Sequence, residues 1–231
     1  MNTEIELNNL HPYETPSHTA IAAIVEFELF EHFKLQNKRL IREALRPLIH
    51  KAVMRVAEVS CKFDQKAGED GLHGASKLVQ DDFLSRLDVQ FNTPIPEEGP
   101  LLIISNHPGG MESIALMAGL NRPDIHIFAN QRPYFLALKN LSKFMVYQDP
   151  QENSHFLALK KALEVLRKGQ ALIMFPYGTL EPDPALIDGA EKLIQNWSRS
   201  ISLFLSRVPD LNVLPVIISN VLTRKAFKNP L

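Results

Sequence analysis

The sequence predicts an α/β fold: a largely parallel β-sheet flanked by helices and preceded by an N-terminal helical region. After NTPIPEEGP, the apolar runs LLIIS, IHIFA, FMVYQ, ALIMF and VLPVII alternate with helical patterns. That alternation marks strands joined by crossover helices, and near-continuous apolar runs suit strands covered on both faces. Before it, apolar residues recur at helical spacing with little strand character. The length of 231 residues and the apolar fraction of 45% suit a substantial soluble core. The expected division is a helical region over 1–92 and an α/β domain over 93–231.

In the first region, Ile21, Ile24, Val25, Leu29 and Phe33 follow a helical stripe from Ser17 to Phe33. A second stripe, Leu40, Ile41, Leu45, Leu48, Ile49, Val53, Val56 and Val59, predicts a helix from Lys38 to about Phe63, bent at Pro47. GEDGLHG, residues 68–74, reads as a loop, followed by a short helix using Leu78, Val79, Phe83, Leu84 and Leu87. In the second region, a helix opens at Asn153-Ser154, carries Phe156, Leu159, Leu163 and Leu166 on one stripe, and stops at Gly169. A last helix runs from about Ala190 through Leu193, Ile194, Trp197, Ile201 and Leu205.

Charge excludes some classes and leaves others. The net charge is −1, yet residues 34–66 hold nine bases against three acids, after a segment of six acids and no Lys or Arg. No uniformly basic balance points to nucleic acid, so no nucleic-acid partner is expected. The basic helix face of Lys38, Arg39, Arg42, Arg46, Lys51 and Arg55 reads first as a solvated face or one paired with the acidic helix before it, with an anionic membrane surface as the alternative. No run of about 18 apolar residues exists, and MNTEIELNNLHPYE lacks the layout of a signal peptide. The expectation is a cytoplasmic protein without a spanning helix. The single cysteine, Cys61, lies in the apolar series Val56, Val59, Phe63 and reads as a buried inert thiol.

The chemistry concentrates in SNHPGGMES, residues 105–113. On one regular helix, His107 and Glu112 would point about 140° apart and could not meet. A turn made by Pro108-Gly109-Gly110 lets a helix start near Met111, so that Glu112 in its first turn reaches back to the imidazole. A carboxylate there would fix the tautomer and stabilise the imidazolium, making His107 a general base toward a hydroxyl. The same residues also make a plain strand-to-helix turn, with Glu112 favoured near a helix amino terminus. His126 reads as a sheet residue and His155 as an exposed helix-start residue. Glu181, Asp183 and Asp188, interleaved with prolines, read as a solvated loop rather than a cation site. No metal site is expected.

Four ordered blocks make the region from about Gly99 to Ser219 similar to the phospholipid/glycerol acyltransferase family. Asn106-His107-Pro-Gly109-Gly110-Met-Glu112 resembles its first block, His, four residues, then Asp, with glutamate replacing the aspartate. Phe175-Pro176-Tyr177-Gly178-Thr179 resembles its Phe-Pro-Glu-Gly-Thr block, Val213 to Ile217 its late Val-Pro-Val strand, and LRKGQALIMF its Leu-x-x-Gly entry to a strand. The resemblance implies an acyltransferase of the lysophospholipid type on the inner face of the cytoplasmic membrane. The donor would be acyl-CoA or acyl carrier protein, as co-substrate and without a further cofactor, and the acceptor a lipid hydroxyl. It implies His107 and Glu112 as the catalytic pair. Asn106, Gly109, Gly110 and residues Phe175 to Thr179 would bind substrate, with backbone donors near Gly178 holding the oxyanion. Two departures bear on the acceptor: Tyr177 and Leu180 stand where family members carry Glu and Arg, and FMVYQDP ends in Gln148-Asp149 where an arginine often lies. Arg132 and Lys143 are the nearby bases that could replace the missing guanidinium. A lipid-binding relative of weak activity and a His/Glu thioester hydrolase are the rival readings. The chain ends at FKNPL, soon after VLPVI where family members commonly continue, which leaves room for a truncated carboxyl end.

Overall fold

In the computed structural model, which describes residues 16–148 and 155–221, the stripe after Ser17 forms α1 (His18–His32), whose first turn is capped by the Ser17 hydroxyl accepting from the Ala20 N–H. The second stripe forms α2 (Arg39–Phe83), much longer than its apolar pattern predicts. Pro47 lies inside it, and the residue that leaves helical torsion angles is Gly71, at φ 72° and ψ −174°. GEDGLHG is therefore not a loop. It is a kink of one residue, and a Cβ at Gly71 would stand 2.6 Å from the Pro123 carbonyl oxygen, so both the torsion and the approach require glycine. Leu84 and Leu87 fall beyond the helix end.

The α/β region runs β1 (Leu101–Ser105), α3 (Glu112–Gly119), β2 (Ile125–Asn130), α4 (Pro133–Ala137), α5 (Lys139–Ser142), β3 (Met145–Gln148), α6 (His155–Arg167), β4 (Ala171–Met174), a 3₁₀ turn (Ala190–Asn196), α7 (Ser200–Arg207) and β5 (Asn212–Val216). The five strands form one sheet of order β3-β2-β4-β1-β5, and every neighbouring pair is parallel. The predicted α/β architecture thus stands, with all five apolar runs as strands. Strands β1 and β4 are buried throughout, as their unbroken apolar sequences require. The predicted helix opening at Asn153-Ser154, Asp149 and the terminal FKNPL lie outside the described residues.

The single helix expected over 190–205 is broken at Trp197, whose ψ of 146° is extended. A reason lies in its partners: the indole N–H donates to Glu181, and the next residue's N–H donates to the Pro176 carbonyl. Two cores sandwich the sheet. Leu101, Ile103, Ile127 and Ile173 face α1, α2 and α3; Leu102, Ile104, Leu172 and Met174 face α6 and α7. The N-terminal helices therefore share a core with the sheet. Asp64 of α2 accepts the N–H groups of Asn140 and Leu141, tying α2 to α5. Cys61 is buried, as its apolar series implies.

Chain direction decides where a site can form. The segment after β1 crosses by α3 on one face, whereas the segment after β4 crosses by α7 on the other. Between two adjacent strands whose connections part in this way, a crevice opens at the carboxyl ends. His107 follows β1 and Phe175 follows β4.

Candidate active site

Local sequence builds the pair at this crevice. Strand β1 ends at Ser105, the turn follows, and Glu112 is the first residue of α3. The Glu112 carboxylate is buried, and its Oε1 bonds Nδ1 of His107, whose side chain is 26% exposed. With Nδ1 committed, Nε2 is the nitrogen left to exchange a proton with a substrate. The Phe175 ring stacks on the imidazole, with centroids 4.4 Å apart at 20°. Glu112 Oε2 is buried and has no hydrogen-bond partner among the described residues, so the carboxylate's charge is directed largely at the histidine.

Gly109 acts by space rather than torsion, and nothing among the described residues requires a glycine at 110. Neither Gly109 nor Gly110 has a positive φ. A Cβ on Gly109 would meet Val221 at 2.8 Å, whereas one on Gly110 would meet nothing within 4 Å. Asn106 is buried, and its amide brackets Ile218, accepting its N–H at 2.7 Å and donating to its carbonyl at 2.8 Å. It extends the β1–β5 ladder by one side chain, which makes it a scaffold of the turn rather than an open contact surface.

Phe175, Pro176, Tyr177, Gly178 and Thr179 lie at the same edge, after β4. Pro176 is buried, Tyr177 half-buried, and Gly178 and Thr179 exposed. Gly178 has φ 85°, and its N–H donates to the Phe175 carbonyl at 3.1 Å, so that donor is spent within the turn and is not a free oxyanion donor. The two candidate bases fare differently. Arg132 lies at the correct edge, after β2, two strands from β1 and hence about 10 Å across the sheet. Its guanidinium pairs with Glu28 at 3.5 Å and Glu31 at 3.8 Å. Lys143 precedes β3, so it lies at the opposite edge, where it donates to Asn140 at 2.7 Å. The structure does not bring Lys143 to the crevice.

The solvated-loop reading of residues 181–188 is overturned for two of its three acids. Glu181 is 7% exposed and Asp183 5%. Glu181 accepts the His107 backbone N–H at 2.9 Å and the Trp197 indole N–H at 3.1 Å. Asp183 accepts the N–H groups of Ala185, Asn220 and Val221. Their donors are mostly backbone groups, which leave no mark in a sequence; the one available signal was two acids set close behind FPYGT. Asp188 is exposed. His126 bonds the Asp124 carbonyl as a sheet residue, and burial, outweighing Asp124, holds its imidazole below the ordinary histidine range. His155 is exposed and bonds Gln148. Among the described residues, no group of three or more His, Cys, Asp or Glu could hold a metal ion.

A family model described as acyltransferase matches residues 86–219, more than half of the chain. Neither the comparison with curated proteins nor that with solved structures gave a match.

Proposed function

Since the chain belongs to the acyltransferase family, we propose that it moves a fatty acyl group from an acyl thioester, acyl-CoA or acyl carrier protein, to the hydroxyl of a lysophospholipid or related lipid. The observation that carries this is the His107–Glu112 bond at the crevice edge, which leaves Nε2 for the acceptor. In the proposed step, Nε2 takes the hydroxyl proton as the acceptor oxygen attacks the thioester carbonyl. Collapse of the tetrahedral adduct breaks the carbon–sulfur bond. The departing thiolate recovers the proton from the imidazolium, which Glu112 has stabilised meanwhile.

The acceptor follows from what the pocket edge lacks. Leu180 is exposed where a guanidinium would clamp phosphate, Tyr177 carries one hydroxyl, and Arg132 is already paired with two glutamates. Glycerol 3-phosphate is expected to be a poor acceptor beside a lysophospholipid or an uncharged lyso-lipid. Transfer to the three, measured in parallel, tests this. If glycerol 3-phosphate proves the best of them, the substrate class is wrong.

A peripheral membrane contact is part of the proposal. No helix among the described residues is long and apolar enough to cross a membrane. At the end of α1 and along the first turns of α2, however, Phe33, Leu40 and Leu48 are 59%, 81% and 77% exposed, beside the exposed Lys34, Lys38 and Lys51. Much of the basic face is otherwise occupied: Arg39 pairs with Glu43, Arg46 with Glu26 and Arg55 with Asp82. Apolar insertion assisted by the lysines therefore suits this segment better than a purely electrostatic contact. Replacing Leu40 and Leu48 together by serine should weaken sedimentation with anionic vesicles by roughly tenfold or more. Unchanged sedimentation by the double variant would remove this face from the account.

A further inference from the structure

We propose that Glu181 is a positioning residue for His107, a role that rests on the acyl-transfer reading above. Two hydrogen bonds join their backbones and side chain reciprocally. The His107 N–H donates to Glu181 Oε2 at 2.9 Å, and the Glu181 N–H donates to the His107 carbonyl at 2.8 Å. Both main-chain polar groups of the histidine are thus held by one residue, 74 positions later in the chain. The turn that leaves β1 is locked to the turn that leaves β4, and the latter also carries Phe175, stacked on the imidazole. One residue thereby sets the height of the histidine backbone relative to the ring that supports its face.

The other carboxylate oxygen explains why the residue is an acid. Glu181 Oε1 accepts the Trp197 indole N–H at 3.1 Å, so two donors converge on one buried group. A carboxylate accepts at both oxygens. A glutamine offers one carbonyl oxygen and one NH₂, so one of the two N–H donors would meet another donor. An unmatched buried donor is costly, and the side chain would turn away or the turn would shift. The segment bearing Trp197 has its own attachment to the β4 turn, the Ser198 N–H donating to the Pro176 carbonyl at 2.9 Å. Removing the indole donor alone should therefore leave that segment in place.

This predicts a rescue. Glu181→Gln should lower kcat for acyl transfer by about 10- to 100-fold, the scale of an ångström-level misplacement of a reacting group. KM for the lipid acceptor should stay within about threefold, because Glu181 is buried and acts through the histidine backbone. Trp197→Phe should cost less. The double variant should recover most of the kcat lost by Glu181→Gln, since the amide oxygen can then accept the His107 N–H with no donor opposite the NH₂, although that unpaired NH₂ keeps the variant's stability below wild type. The downfield proton resonance of His107 Nδ1–H, assigned by its disappearance in His107→Ala, gives a readout that needs no turnover. It should shift or broaden in Glu181→Gln and return toward its wild-type position in the double variant. Wild-type kcat and an unmoved resonance in Glu181→Gln would overturn the proposal, and so would a double variant no better than Glu181→Gln by both measures. If the wild-type chain transfers no acyl group, the functional reading fails on its own, and the resonance still decides whether Glu181 positions the histidine.

Discussion

His107→Ala is expected to lower acyl transfer by roughly 100- to 10,000-fold, the usual cost of removing a general base, while the protein stays folded. The side chain is partly exposed and belongs to neither core cluster, so the fold loses little with it. Glu112→Gln should cost less than His107→Ala, because an amide can still orient the ring through its oxygen but cannot stabilise the imidazolium by charge. Glu112→Asp should retain measurable activity if the turn can deliver a carboxylate one methylene shorter. Steady-state rates against folded protein, with circular dichroism as the fold control, separate these outcomes. A His107→Ala variant that turns over at close to the wild-type rate would contradict the mechanism.

The largest expected loss of stability lies at the opposite edge of the sheet. Arg122 is 1% exposed, and its guanidinium donates to both Asp124 oxygens and to the carbonyls of Pro96, Gly99 and Gly169 at 2.7 to 3.2 Å. It therefore joins the approach to β1, the turn before β2 and the turn before β4. Arg122→Ala would leave three carbonyls and a carboxylate, all part-buried, short of donors. The expected cost is about 2–4 kcal/mol, below the full range for breaking a buried charge pair because the Asp124 side chain stays 28% exposed and water can reach it. In a chain of this length that lowers the melting temperature by roughly 5–15 °C. Arg122→Lys should recover little, since a single ammonium cannot span five acceptors set in a fork. A change below about 1 kcal/mol in urea denaturation would show that this network is not a main support of the sheet.

What the sequence made legible was local or periodic. Strands β1 and β4 announced themselves because burial on both faces demands the unbroken runs LLII and ALIM. The His107–Glu112 contact was readable because five residues and one turn contain it. Contacts across the chain were not. Glu181 meets its partners through the fold, where the β4 turn presses against the β1 turn, and the prolines around it carry no sign of that contact. Lys143 misled for the converse reason: it lies five residues from Gln148, but β3 runs between them for about 13 Å and carries them to opposite edges. GEDGLHG misled because three glycines in seven residues usually end a helix, whereas here Gly68 and Gly74 stay helical and only Gly71 takes up the kink.

The central claim, that the crevice moves an acyl group to a lipid hydroxyl through His107, is tested most directly by following free thiol released from an acyl thioester with and without a lysophospholipid. The account predicts release that depends on the acceptor, a matching esterified lipid by mass spectrometry, and loss of both in His107→Ala. Release at the same rate without acceptor would instead identify a hydrolase that activates water, and no release at all with any acceptor would leave a lipid-binding protein; either result would contradict the account.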